Sequence, residues 1–213
     1  MSRVVCIAGE SGSGKTTSMR NLDPKQTYYI DADKKGLSWK GWRSGYNAEN
    51  KNYYAGADTD IIKKIIRGVN DTRPEIKHIV IDTINGIMVS DEMARAKEKG
   101  YDKWVDLAQC IWDIVDTAYT YRDDLWLIFL AHTQTERDDN GYMFTRIKTS
   151  GRKLEKIVLE SKFTTVLIAK CVDNKYVFET HAKNSTAKTP MGAFDEFEIE
   201  NDVVQVIKAL EEY

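Results

Sequence analysis

Short apolar runs recur along the chain at residues 4–8, 28–30, 79–81, 125–131 and 166–169, with helical patterns between most of them. Runs this short, separated by amphipathic stretches, predict strands buried on both faces and joined by helices, the pattern of a mostly parallel α/β sheet. Ile61, Ile62, Ile65 and Ile66 fall on one stripe of a helix predicted over residues 60–67, with Asp58 or Thr59 as N-cap and Gly68 just past its end. Over residues 102–121, Trp104, Leu107, Ala108, Ile111, Trp112, Val115, Ala118 and Tyr119 recur at three- and four-residue steps and predict a long amphipathic helix. A strand-like stretch at 194–199 and a helix over 203–210 close the pattern.

Composition narrows the classes. The 213 residues are 42% hydrophobic and 30% charged, with 13 Gly and 3 Pro, which suits one packed domain over residues 1–213 and excludes collagen-like or disordered chains. The longest apolar run, 125–131, is far below the roughly 20 residues a bilayer span needs. The N-terminus enters the first run without a signal-like segment, so a cytoplasmic chain with no membrane partner is expected. Cys6, Cys110 and Cys171 are odd in number and set in apolar surroundings, which predicts buried thiols and neither disulfides nor zinc. The net charge of −2 offers no global basic field, so any nucleic-acid contact must come from a local patch.

One polar segment carries a specific chemistry. Gly9-Glu10-Ser11-Gly12-Ser13-Gly14-Lys15-Thr16 fits G-x-x-x-x-G-K-[ST] in full, directly after the first apolar run and ahead of a helix predicted over residues 15–21. Glycines at this spacing let successive N–H groups curl around a β-phosphate, and a helix start adds the positive end of its dipole. Gly9 to Thr17 (Gly9, Glu10, Ser11, Gly12, Ser13, Gly14, Lys15, Thr16 and Thr17) are therefore expected to bind ATP. In that cradle Lys15 reaches the β- and γ-phosphates and Thr16 offers its hydroxyl to Mg²⁺. The run His78-Ile79-Val80-Ile81-Asp82 ends a buried strand in a carboxylate, placing Asp82 to hold Mg²⁺ or to cap the next helix, two compatible roles. No Asn-Lys-x-Asp run and no arginine-rich lid accompany these motifs, which speaks against guanine specificity and against a small-molecule kinase.

With these motifs the chain resembles the RecA-like P-loop ATPase core, and most closely the short RecA-like ATPases that bacteriophages encode for single-strand annealing and recombination. The resemblance implies a mostly parallel central sheet flanked by helices, a strand inserted between the P-loop strand and the Asp82 strand, and a C-terminal β-hairpin extension. It implies catalytic roles beside Lys15 and Asp82. Asp33, ending Ile30-Asp31-Ala32-Asp33, takes the position that polarises the attacking water. His132, after the run 126–131, takes that of a γ-phosphate sensor at the start of a DNA-binding loop. Ala182-Lys183-Asn184-Ser185 with residues 194–199 looks like the family's lysine-finger hairpin, so Lys183 would reach a neighbouring subunit's ATP. Read without the resemblance, Asp33 is equally a surface carboxylate, His132 a strand-end residue and Lys183 a solvated lysine.

Between His132 and Gly151, Asp139-Asn140-Gly141 is a turn signal between alternating flanks and predicts a projecting hairpin. Tyr142 and Phe144 offer stacking faces, and Arg146, Lys148 and Arg152 are cations for phosphates, a combination suited to single strands. A second candidate, residues 93–103 with Arg95, Lys97, Lys99 and Lys103, reads equally as a solvated helix face. Trp39 and Trp42 are expected in the core; stacking on adenine or at a subunit interface is the alternative. The expected function is Mg²⁺-dependent ATP hydrolysis coupled to single-stranded DNA. Expected partners are that DNA, further copies in a ring or short filament that use core surfaces, and a single-strand binding protein. A replication accessory or helicase-loading ATPase, a small-molecule phosphotransferase and a non-hydrolysing nucleotide-gated module are the competing readings.

Overall fold

A computed structural model describes residues 2–98, 102–137, 140–149 and 158–213. Among these residues, nine strands form one sheet: β1 (Arg3–Gly9), β2 (Thr27–Asp31), β3 (Tyr53–Ala55), β4 (His78–Asp82), β5 (Trp126–Arg137), β6 (Met143–Ile147), β7 (Thr165–Val172), β8 (Lys175–Glu179) and β9 (Glu198–Glu200). Their order is β3-β2-β4-β5-β1-β7-β8-β9, with β6 paired to β5 outside this path. From β3 to β7 every pairing is parallel, and β8, β9 and β6 are added antiparallel. The expected inserted strand is β5, which lies between β1 and β4 and pairs with both. Parallel register then brings Gly9 beside His132, Asp82 beside Leu130 and Asp31 beside Asp82, so the ends of four strands share one edge.

The apolar runs are continuous because both faces of the sheet are covered. Alternate residues point to opposite cores: Val4, Cys6, Ala8, Leu127, Phe129 and Ala131 to one, and Val5, Ile7, Trp126, Ile128 and Leu130 to the other. The first core is closed by α2 (Thr59–Thr72), α3 (Ile84–Ala94) and α4 (Asp102–Thr117). The second is closed by α5 (Val203–Leu210), by Met19, Leu22, Leu37 and Tyr46, and by the short α1 (Trp42–Gly45), whose Trp42 packs against it. Trp39 and Trp42 both pack here, Trp39 edge-on to Tyr29 and Tyr46 and Trp42 against Tyr53, the core role expected of them.

Several boundaries differ from the sequence pattern. Helix α2 starts where Asp58 accepts a hydrogen bond from the Ile61 amide, but it runs past Gly68 to Thr72. Its buried stripe is Ile62, Ile66 and Val69, and burying Val69 offsets the roughly 1 kcal/mol that a helical glycine costs. Ile61 lies about 100° away around the helix and is exposed. The strand expected at 194–199 shrinks to β9; Phe194 reaches the second core from irregular chain. The hairpin extension is β7–β8, closed by Asp173 and Asn174 with φ of 49° and 61°, the left-handed pair that a two-residue turn requires. Of the three thiols only Cys6 is buried, where desolvation pushes its ionisation far up. Cys110 is half-buried, and Cys171 is exposed near the end of β7, contrary to expectation. Among the described residues, no helix is long and apolar enough to cross a membrane.

Candidate functional site

The shared edge begins with the loop after β1. Gly14 sits at φ 92°, a left-handed conformation natural to glycine, and a Cβ there would meet the Tyr176 ring at 2.8 Å. Lys15 folds back over the loop, its Nζ donating to the carbonyls of Gly9 and Glu10 at 2.7 Å each. Burial pushes Lys15 down to about 8 against the pull of Asp82. The helix expected over 15–21 is instead one 3₁₀ turn, Thr17–Met19. Ser18 Oγ donates to the Lys15 carbonyl at 2.6 Å, a local bond that competes with helical pairing. Loop amides and Lys15, more than a helix dipole, are thus what this loop offers to phosphate.

Asp82 ends β4 with only 1% of its surface exposed. Its Oδ2 accepts from Thr16 Oγ1 at 2.7 Å and from Tyr29 Oη at 2.8 Å. Its Oδ1 is buried and has no hydrogen-bond partner among the described residues. Burial raises the Asp82 carboxyl above its usual range, against the pull of Lys35, Thr16 and Tyr29. An orphaned carboxylate oxygen beside a threonine hydroxyl suits Mg²⁺, which takes hard oxygen donors and keeps several waters. Among the described residues no three His, Cys, Asp or Glu side chains converge as a metal cage. Thr16 and Asp82 would therefore share the ion with water and phosphate oxygens, and the bound ion would neutralise charge on the β- and γ-phosphates.

Asp33 comes to the same edge. Thr83 Oγ1 donates to Asp33 Oδ1 at 3.1 Å while accepting from the Gly86 amide as the N-cap of α3. A Cβ on Gly86 would lie 2.3 Å from Asp33 Oδ1 and 3.1 Å from the Ala32 carbonyl, so the approach of the Asp33 loop to α3 requires glycine there. Asp33 thus lies at this edge on the side of β2, held by Thr83 and by Lys35.

Four residues of the site were not singled out from sequence. Asp31, Lys35 and Thr83 shape the surroundings of Asp33 and Asp82, and Asn85, 7% exposed, lies in the first turn of α3. Asn85 Oδ1 accepts from the His132 amide and its Nδ2 donates to the Lys148 carbonyl, both at 2.7 Å. It therefore joins the helix after Asp82 to β5 and to the residue that follows β6. The pattern did contain one signal: a polar residue among the apolar ones that open the helix, in Thr83-Ile84-Asn85-Gly86-Ile87-Met88-Val89.

His132 stands where β5 leaves the sheet and is half-buried. Burial, reinforced by the positive charge of Lys15, holds its imidazole below the usual range and neutral near pH 7. Beyond it β5 and β6 form the expected hairpin, with Gln134 opposite Arg146 and Glu136 opposite Phe144. The alternation places Tyr142, Phe144, Arg146 and Lys148 on one face of β6 and its flanks. Tyr142 and Lys148 are exposed and Phe144 is half-buried. Arg146, expected on the DNA face, is instead 12% exposed, 3.5 Å from Glu136 and 4.0 Å from Glu160, so two carboxylates hold it inward. Arg152 lies outside the described residues, as does Lys99 of the earlier basic candidate, in which Arg95 is paired to Glu98 and Asp106.

The hairpin expected around Lys183 does not form between 182–185 and 194–199. Ser185 bridges to Thr145 instead, and Lys188 to Val166. The Lys183 amide donates to Glu179 at 3.2 Å, and Lys183 lines a cleft of about 340 Å³ with Gly9 to Ser13 of this chain's own loop.

Comparison with known proteins agrees with this geometry. Among curated proteins none matches the chain. The family profile described as AAA domain matches residues 1–191, nine-tenths of the chain and all of the edge just described. The P-loop, the strand-end Asp82 and a mostly parallel sheet with an inserted strand thus go with membership: the chain belongs to the AAA-domain family, with a P-loop NTPase-type fold.

Proposed function

We propose that this chain binds and hydrolyses ATP with Mg²⁺ and couples the nucleotide state to single-stranded DNA, in phage-type annealing or recombination. The observation that carries the reading is the continuity of β5. One strand runs from between β1 and β4, beside Gly9 and Asp82, through His132 into a hairpin bearing Tyr142, Phe144 and Lys148. In this reading Lys15 stabilises charge on the phosphates, Thr16 and Asp82 hold the ion, Asp33 orients water, and His132 with Asn85 transmits occupancy to the hairpin. Aromatic faces beside a cation suit a single strand, whose unstacked bases are open to stacking.

Phosphate release measured with and without single-stranded DNA tests it. Wild type is expected to turn over ATP faster with DNA, and Lys15→Ala is expected to lose about 100-fold or more in rate. Turnover unchanged in Lys15→Ala removes the enzymatic reading. The inward pairing of Arg146 favours one second reading, an accessory ATPase whose hairpin meets a protein, because it removes a cation from the DNA face. Wild-type turnover indifferent to DNA would select that reading.

A further inference from the structure

The loop after β2 delivers a cation for which the phosphate-binding motif does not account. Buried Asp31 accepts from the Gly36 amide and from Tyr53 Oη, both at 2.7 Å, and folds the intervening residues into a turn in which Lys34 takes φ 56°. This anchoring aims Lys35, not its neighbour Lys34, along the sheet edge. Lys35 Nζ lies 2.7 Å from Asp33 Oδ2 and 3.8 Å from Asp82 Oδ1, the oxygen that lacks a hydrogen bond. A simple surface ion pair with Asp33 would need neither the Asp31 anchor nor the reach to Asp82. The Lys35 side chain is 46% exposed, which leaves it a route into solvent.

An ammonium 3.8 Å from Asp82 Oδ1 and a divalent cation on that same oxygen would repel each other strongly. We propose that Lys35 is a built-in competitor for the divalent cation: its ammonium holds the Asp33–Asp82 pair in the nucleotide-free chain and must leave before Mg²⁺ binds, so Lys35 sets how much metal the site requires. The inference rests on the reading of this edge as a nucleotide–metal site and deepens it with a regulatory device. Such a device keeps the two carboxylates compensated between turnovers and ties metal entry to the arrival of phosphates, whose charge offers the displaced ammonium a new partner.

The test uses Mn²⁺ as probe, titrated into the full-length nucleotide-free chain and followed by electron paramagnetic resonance. Lys35→Met is expected to bind Mn²⁺ about ten-fold more tightly than wild type, Lys35→Arg is expected to behave as wild type, and adding Asp82→Asn to Lys35→Met is expected to abolish the gain. Equal or weaker Mn²⁺ binding by Lys35→Met, including no measurable binding by either protein, overturns the proposal. Circular dichroism checks folding, and Lys35→Gln replaces the methionine variant if that one is unfolded. A wild type that fails to bind a fluorescent ATP analogue would sink the proposed function, whereas the Mn²⁺ titration would still decide the role of Lys35.

Discussion

At Lys15 two effects oppose each other. Burial disfavours the ammonium and pushes it down to about 8, while Asp82 and two carbonyl acceptors favour it. A bound triphosphate would add a stronger preference for the charged form and raise the Lys15 value above that of the free chain. Nucleotide affinity is therefore expected to be level below about pH 8 and to fall as pH rises from there toward the raised value, with proton uptake on binding. Titration calorimetry in buffers of different ionisation heat, near pH 7.5 and near pH 9, should show uptake growing with pH; level affinity across that interval would contradict it. Lys15, Thr16 and Asp82 were legible in the sequence because motif spacing encodes a backbone shape. Lys35 was not: Lys34 and Lys35 are adjacent and chemically identical, and only the turn built on Asp31 decides which one meets the carboxylates.

Among elements, the β5–β6 hairpin and the start of α3 matter most. Asn85 is their joint, with one hydrogen bond to β5 and one just past the end of β6. Asn85→Ala should leave the His132 amide without its acceptor, speed hydrogen exchange there, and cost about 1–3 kcal/mol in urea unfolding. Unchanged exchange at His132 would show that the joint is dispensable. The hairpin was readable from its turn signal and from period-two alternation, which put Tyr142, Phe144, Arg146 and Lys148 on one face. The fate of Arg146 was not readable, because Glu160 comes from a separate 3₁₀ turn, Leu159–Lys162, and depends on how that turn docks. The same limit applies after the P-loop, where the expected helix gave way to a single 3₁₀ turn through a side-chain bond at Ser18.

For the whole molecule, stability rests on one sheet between two cores, and β5 lies at its centre. Phe129 is fully buried there, its ring 5.6 Å from that of Phe163. Phe129→Ala is expected to cost about 3–5 kcal/mol, read as a lower urea midpoint with an unchanged slope; a loss under about 1 kcal/mol would mean the site can collapse around the cavity. By itself the sequence determined what is written in contiguous residues: the phosphate-binding loop, the carboxylate closing β4, the strands covered on both faces and the hairpin turn. These features are local, since backbone conformation and side-chain alternation follow from neighbours along the chain. Tertiary structure decided that Lys35 reaches Asp82 as well as its neighbour Asp33, that Arg146 turns inward toward Glu160, and that Asn85 ties α3 to the hairpin. The contacts to Asp82, to Glu160 and from Asn85 join residues apart in the chain, and they exist only once apolar strands of similar character have settled on one pairing order, a choice made by packing and hydrogen bonding across the whole sheet.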